Sequence, residues 1–397
     1  MSRFKVLFVL PSFSIVRPPG GFNIVYCLSA HLNRIGISTG IVVPYNLRKR
    51  IAESLNFPEL RNYPSLFHKL YGEFYSFSTK LGAMRDLLFS VLRKLFGSGY
   101  DYSIIKSIPI ISVSDPLEFQ DEVDIIIATA WETAYFVNDF LQNHNSLGMY
   151  LIQNSEDEAV YSGNASGLAS KTYAFNLKKI VINNSLRERF RNDDPFLLHV
   201  GFDNQKYYLT KSIEHRQKFT VLFPLRTNIS KGAIYAINAA KILRQRYTQL
   251  RIIAYGDYPR KNVPKWIEYH RLSSDEEVAM LYNESSIFVL PSLVEGMPVP
   301  PLEAMASGCA VVCTDNAGVR EYLENEVNGL IIPPGDAEAM ASAVGRLMSD
   351  SNLRIRIAME GLITSRSFTY GEMYEAFTKI ISQEISTISK AQIENLD

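Results

Sequence analysis

"PSLVEGMPVPPLEAMASGCAVV", residues 291–312, decides the fold. It follows an apolar run that reads as a strand, and it sets Glu295 in a turn where a side chain can project from a rigid loop. Pro300 and Pro301 suit a helix's first turn, because their φ is preset and their missing N–H would have had no partner there. "LEAMAS" continues the helix and Gly308 is placed to end it. Glu303 then falls in the first helical turn, near the positive end of the helix dipole, where phosphates commonly bind. Taken alone, Glu303 reads equally well as a dipole partner.

The same strand–loop–helix rhythm extends in both directions. "FKVLFVL" at 4–10 is a first strand; its apolar run is too short, and too soon cut by Pro11, for a secretory leader. After the loop "PSFSIVRPPGG" comes a helical pattern, "FNIVYCLSAHLNRIG", and then the strand "STGIVVP". "IPIIS", "DIIIATA", "MYLIQ" and "KIVIN" are further short apolar runs, suited to strands buried on both faces. A second series starts near Phe219 with strands "FTVLFPL", "LRIIAYG" and "SIFVLP", and helices "GAIYAINAAKILRQRY" and "SDEEVAMLYNES". "CAVVCTD", "GLIIPP" and the helix "DAEAMASAVGRLMSD" complete it. The expected fold is α/β, with two doubly wound, Rossmann-like α/β/α domains facing each other across a cleft. The domains expected are 1–205 and 206–370, with 371–397 a final helix crossing back over the first.

The 397 residues are ordinary for about two or three globular domains, being 47% hydrophobic and 21% charged. Lys+Arg and Asp+Glu both number 41, with no basic stripe, which argues against a nucleic-acid binder. Three cysteines, Cys27, Cys309 and Cys313, give no disulfide framework and suggest a reducing compartment. The last two bracket an apolar run and read as core. Sequons at Asn164, Asn183, Asn228 and Asn283 carry little weight. No stretch reaches the roughly 18–20 apolar residues of a membrane span. The protein is expected in the cytoplasm. Residues 80–96 form an amphipathic pattern flanked by Lys80, Arg85, Arg93 and Lys94. That pattern suits a peripheral contact at the inner face of a membrane, though packing on its own domain is the weightier reading.

GxGxxG and GxxxxGK[ST] are missing, and the six histidines form no metal-ligand cluster, so neither dinucleotide, P-loop nor built-in zinc chemistry is expected. "SEDE" at 155–158 reads better as a helix cap or a substrate contact than as a metal site. Three features should lie at carboxyl ends of parallel strands. Gly20–Gly21 allows close backbone approach. Arg226 and Lys231 in "PLRTNISKG" outline a diphosphate site. The Glu295/Glu303 turn is the third.

Residues 219–350 closely resemble the retaining glycosyltransferases of family 4, whose fold is GT-B. The hallmark is a Glu, seven intervening residues and a second Glu, as in Glu295 to Glu303; "NAGVREYLENEVNGLIIPPGDAEAMASAV" and the closing "FTYGEMYEAF" are also similar. The resemblance implies a nucleotide-diphosphate sugar as donor, with no cofactor and no metal. Arg226, Lys231 and Gly21 would hold the diphosphate, and Glu303 the ribose. Glu295 would act near the reacting carbon, and backbone at Met297, Pro298 and Val299 would contact sugar or phosphate. His270, Arg271 and Leu272 would pass beside the nucleobase. The acceptor, a glycan or lipid-linked saccharide, falls to Gly20, Trp131, Glu132, Asn154 and Glu156. These last four replace the histidine that many members carry, and the usual Asn-Gly-Val-Asp reads Val200-Gly201-Phe202-Asp203. "LIQNSEDEAVY" resembles bacterial members that transfer rhamnose to surface polysaccharides. Alternatives are a non-catalytic nucleotide- or glycan-binding protein of this fold, and a nucleotide-sugar epimerase.

Overall fold

The computed structural model describes residues 4–12, 20–44, 47–54, 108–113, 122–216, 219–271 and 273–394. The amphipathic pattern at 80–96 and Leu272 lie outside them. The chain divides into two compact units, one Met1–Leu198 with Tyr374–Asp397 and the other His199–Met373.

In the first unit, strands β1 (Lys5–Val9), β2 (Ser38–Pro44), β3 (Ile110–Val113), β4 (Ile125–Ala128), β5 (Leu147–Ile152), β6 (Lys178–Val181) and β7 (Phe196–Leu197) form one sheet in the order β3-β2-β1-β4-β5-β6-β7. Every pairing is parallel. Val6, Phe8, Ile125, Ile127, Tyr150 and Ile180 are fully buried, as expected of strands covered on both faces. The last helix, Tyr370–Glu394, supplies one layer: Phe377 lies 5.9 Å from Phe8, His31 stacks on Tyr374, and Lys178 pairs with Glu384 at 2.6 Å.

In the second unit, β8 (Thr220–Leu225), β9 (Arg251–Gly256), β10 (Glu268–Arg271), β11 (Ile287–Leu290), β12 (Ala310–Thr314) and β13 (Leu330–Ile332) order as β10-β9-β8-β11-β12-β13, again all parallel. Cys309 and Cys313 are buried in its core. Among the described residues, β7, β10 and several helices, Trp131–Leu141 and Ser351–Ser365 among them, add to the elements named from the sequence. Each sheet reverses its order once, between β1 and β4 and between β8 and β11. A doubly wound sheet opens a ligand crevice at that place, beyond the strands' carboxyl ends. No helix among the described residues is long and apolar enough to cross a membrane.

Candidate active site

The reversal in the second unit brings the loop after β8 beside the loop after β11. Four local devices fix them. Thr227 N–H donates to Asp257 Oδ1 (2.8 Å), tying the β8 loop to the end of β9. Asn228 accepts from Ser230 N–H (3.0 Å) and so folds the short turn Ile229–Lys231. Gly232 has φ +68°, and a Cβ there would sit 1.9 Å from the Pro291 carbonyl oxygen, so only glycine lets the loops touch. Leu293 N–H donates to the Ser230 carbonyl at 2.7 Å. Together they place Lys231 Nζ 2.7 Å from Glu295 Oε2, with Glu295 largely shielded and Lys231 more open. Arg226 stands exposed on the same loop, its guanidinium 5.9 Å from the Tyr255 ring.

Glu295 is held in turn by its N–H to the Asn316 carbonyl, 3.3 Å away. Met297 is buried, and its sulfur accepts from Val200 N–H; the Pro298 carbonyl accepts from Tyr322 at 2.7 Å. The helix Pro300–Ala306 begins on the two prolines, and Gly308 follows it at φ +84°, as the sequence predicts. Its Glu303 receives the Tyr282 hydroxyl at Oε2, 3.0 Å away. Burial pushes the Glu303 carboxyl up to about 8; the Tyr282 hydrogen bond and Arg226 pull against this, while Asp275 and Asp203 add to it.

His270, on the edge strand β10, is engaged at both ring nitrogens, Nδ1 with Glu277 (2.8 Å) and Nε2 with Glu268 (3.1 Å). Burial lowers its pKa, but those two carboxylates outweigh it and raise the value overall. Arg271 beside it is exposed. The nucleobase candidates therefore stand on the sheet's edge, in a strand whose histidine is already committed to carboxylates.

The first unit differs from expectation in detail. Gly20 and Gly21 are not in a loop: they open the helix Gly20–Arg34. A Cβ at Gly21 would meet Gln153 Oε1 at 2.7 Å, so this helix start packs on the loop after β5. Trp131 and Glu132 open the helix Trp131–Leu141 after β4, and both are buried. Thr129 Oγ1 donates to the Val9 carbonyl (2.7 Å), closing β4 onto β1. Asn154 is half-buried in the loop after β5. Glu156 is only 8% exposed, bonded to the Tyr150 hydroxyl. Burial pushes Glu156 up to about 8; Tyr150 and the Trp131 backbone N–H oppose this, and Glu132 and Asp157 add to it. Of the "SEDE" run, Asp157 pairs with Arg189 at 2.8 and 2.5 Å, while Glu158 sits at a helix N-cap without making a side-chain cap bond.

Sequence reasoning did not find Tyr255, Tyr282 or Asp257. Tyr282 falls on the buried stripe of its helix, which its periodicity reveals. That its hydroxyl reaches Glu303 depends on how that helix and Pro300–Ala306 pack.

Residues 218–350 match the family described as glycosyl transferases group 1. The fold is GT-B: the chain aligns over 96% of its length with all of the Anabaena HepE structure in complex with UDP-glucose, at TM-score 0.64 and 16% identity. Among curated proteins, it is 32% identical over 164 residues to the amylovoran biosynthesis glycosyltransferase AmsK of Erwinia amylovora, covering 37% of this chain and 40% of that one. It is 29% identical over 119 residues to a Campylobacter jejuni N,N'-diacetylbacillosaminyl-diphospho-undecaprenol alpha-1,3-N-acetylgalactosaminyltransferase, covering 30% and 32%. The chain thus spans less than half the length of these two curated relatives.

Proposed function

We propose that the protein is a glycosyltransferase that takes a sugar from a nucleotide-diphosphate donor and transfers it to a glycan or lipid-linked saccharide. The observation that carries this reading is the Lys231–Glu295 pair, 2.7 Å apart, at the order reversal of the second sheet. Breaking a sugar–phosphate bond builds negative charge on the leaving diphosphate and positive charge on the ring. Lys231 and Arg226 suit the first charge, and Glu295 suits the second. Lys231 and Glu295 neutralise each other across 2.7 Å. A diphosphate would draw Lys231 away, leaving Glu295 turned to the sugar.

The mechanism is retaining and metal-independent: the acceptor attacks on the leaving-group face, and a phosphate oxygen takes its proton. The names of the Erwinia and Campylobacter relatives support a surface-polysaccharide or undecaprenol-linked acceptor. The narrowest form of the reading is rhamnosyl transfer.

The test is hydrolysis of UDP-, GDP-, ADP- and dTDP-sugars, dTDP-rhamnose included. Glu295→Gln should lower kcat by about 10²–10³, the usual cost of one well-placed electrostatic group. Glu303→Gln should act mainly on KM, because the ribose it holds is unchanged in the transition state. A stable Glu295→Gln protein that binds donor and turns over normally would sink the catalytic assignment.

A further inference from the structure

Behind Glu303 lies a run of aromatic hydroxyls that donor chemistry does not itself require. Tyr282 is fully buried in the helix Asp275–Glu284, and Tyr255 is 3% exposed on β9. Their hydroxyls meet at 2.7 Å, and Tyr282 also bonds Glu303 Oε2 at 3.0 Å. The Tyr282 ring is walled edge-on by Tyr207 (5.8 Å), Tyr255 (6.0 Å) and Phe288 (5.5 Å). A hydroxyl sealed among rings is costly unless bonded, so it must point where it does. The far end of the run is the Tyr255 ring, with the Arg226 guanidinium beside it. Arg226, on the loop after β8, and Glu303, on the helix Pro300–Ala306, are thus joined through two buried tyrosines. Phenylalanine at either place would fill the same space, so packing alone does not call for the hydroxyls.

We propose that Tyr282, backed by Tyr255, is a positioning residue that orients the Glu303 carboxylate towards the ribose diol and sets its spacing from the cation that meets the diphosphate. The idea rests on the functional reading above. Tyr282 holds Glu303 Oε2, and no hydrogen bond to Oε1 is seen among the described residues. The charged and titratable groups facing Glu303 are Asp275, Asp203, Arg226, Tyr282, Tyr255 and Tyr207. Only Tyr282 among them bonds it, so removing that hydroxyl lets the carboxyl rotate and move its proton affinity upward.

The experiment compares Kd for ADP, UDP and GDP with Kd for their 2′-deoxy forms, by calorimetry, in the wild type, Tyr282→Phe, Glu303→Gln and the double variant. Wild type should prefer the ribo form by about ten-fold, the scale of one charged hydrogen bond. Tyr282→Phe should shrink that preference most of the way to Glu303→Gln, and the double variant should lose nothing further. The pH at which ribonucleotide affinity rises should also move up in Tyr282→Phe. Tyr255→Phe, which keeps the Tyr282–Glu303 bond, should give a smaller loss of the same ratio, and it serves should Tyr282→Phe prove too unstable to purify. A merely structural tyrosine would lower Tm and leave the ribo-to-deoxy ratio and the pH inflection unmoved; that overturns the inference while leaving nucleotide binding intact. A wild type that binds no nucleoside diphosphate removes the functional reading and the inference with it.

Discussion

The two units share one sheet plan and use it in opposite ways. At the reversal between β8 and β11, Arg226 is exposed and Lys231, partly open, pairs with a largely shielded Glu295. At the reversal between β1 and β4, the corresponding carboxylate, Glu132, is 3% exposed, and Glu156 beyond β5 is 8% exposed. The cations of the β8 loop reach the surface in one unit, while the carboxylates at the matching place in the other are enclosed. Strand order locates a crevice. Loop packing decides whether its charges reach water.

Glycines give the strongest way to break this contrast. Gly232→Ala places a methyl 1.9 Å from a backbone oxygen at φ +68°. Strain of about 1–2 kcal/mol comes from the left-handed backbone alone, and the displaced loop adds to it. Calorimetry should show a lower Tm and lost nucleoside-diphosphate affinity together. Gly20→Ala, with nothing within 4 Å of its would-be Cβ and a helical backbone, should raise stability by about 0.4–1 kcal/mol. Equal damage in both would show that the two reversals are built alike.

The next effect is electrostatic. Arg226→Ala or Lys231→Ala should each weaken nucleoside-diphosphate binding by roughly 1.5–3 kcal/mol, about ten-fold or more, with Tm little changed. Titration of UDP, GDP, ADP and dTDP into each variant measures it. Unchanged affinity in both would remove the β8 loop from the site.

Legibility in the sequence follows the same divide. β8, β9, β11 and β12 are apolar runs ended by Pro, Gly or polar residues, so charges in the loops after them fall where a reader expects. β10 is "EYHR", a polar edge strand with no apolar signal, and β7 is two residues long. The helix Ser351–Ser365 is hidden because Asp350 ends one helix and caps the next, its side chain accepting from Leu353 N–H, with no loop between. Gly20–Gly21 reads as loop because glycine is poor in helices, but first-turn N–H groups need no intrahelical partner, and Gly21 lies where a Cβ would run into Gln153. The Glu295-to-Glu303 spacing was readable; the tyrosines behind Glu303 and the enclosure of Glu156 come from side-chain packing between elements far apart in sequence.

Glu156 gives the smallest effect on function and the cleanest on stability. Its carboxyl rises from about 4.5 in a free chain to about 8 in the fold, mainly through burial. The folded protein therefore holds a proton that the unfolded chain releases. Between those two values, stability falls as pH rises, by at most about one factor of ten in the folding constant per pH unit, and it levels above pH 8. Glu156→Gln keeps an oxygen to accept from Tyr150 but carries no charge to bury. Its Tm should match the wild type near pH 5 and exceed it increasingly towards pH 8, while nucleoside-diphosphate affinity stays the same. Glu303 titrates in the same direction, so the test is the difference between variant and wild type at each pH rather than either curve alone. If Glu156→Gln instead loses transfer to acceptor while donor hydrolysis continues, the buried carboxyl is an acceptor group after all, and the contrast between the two units fails at its most enclosed point.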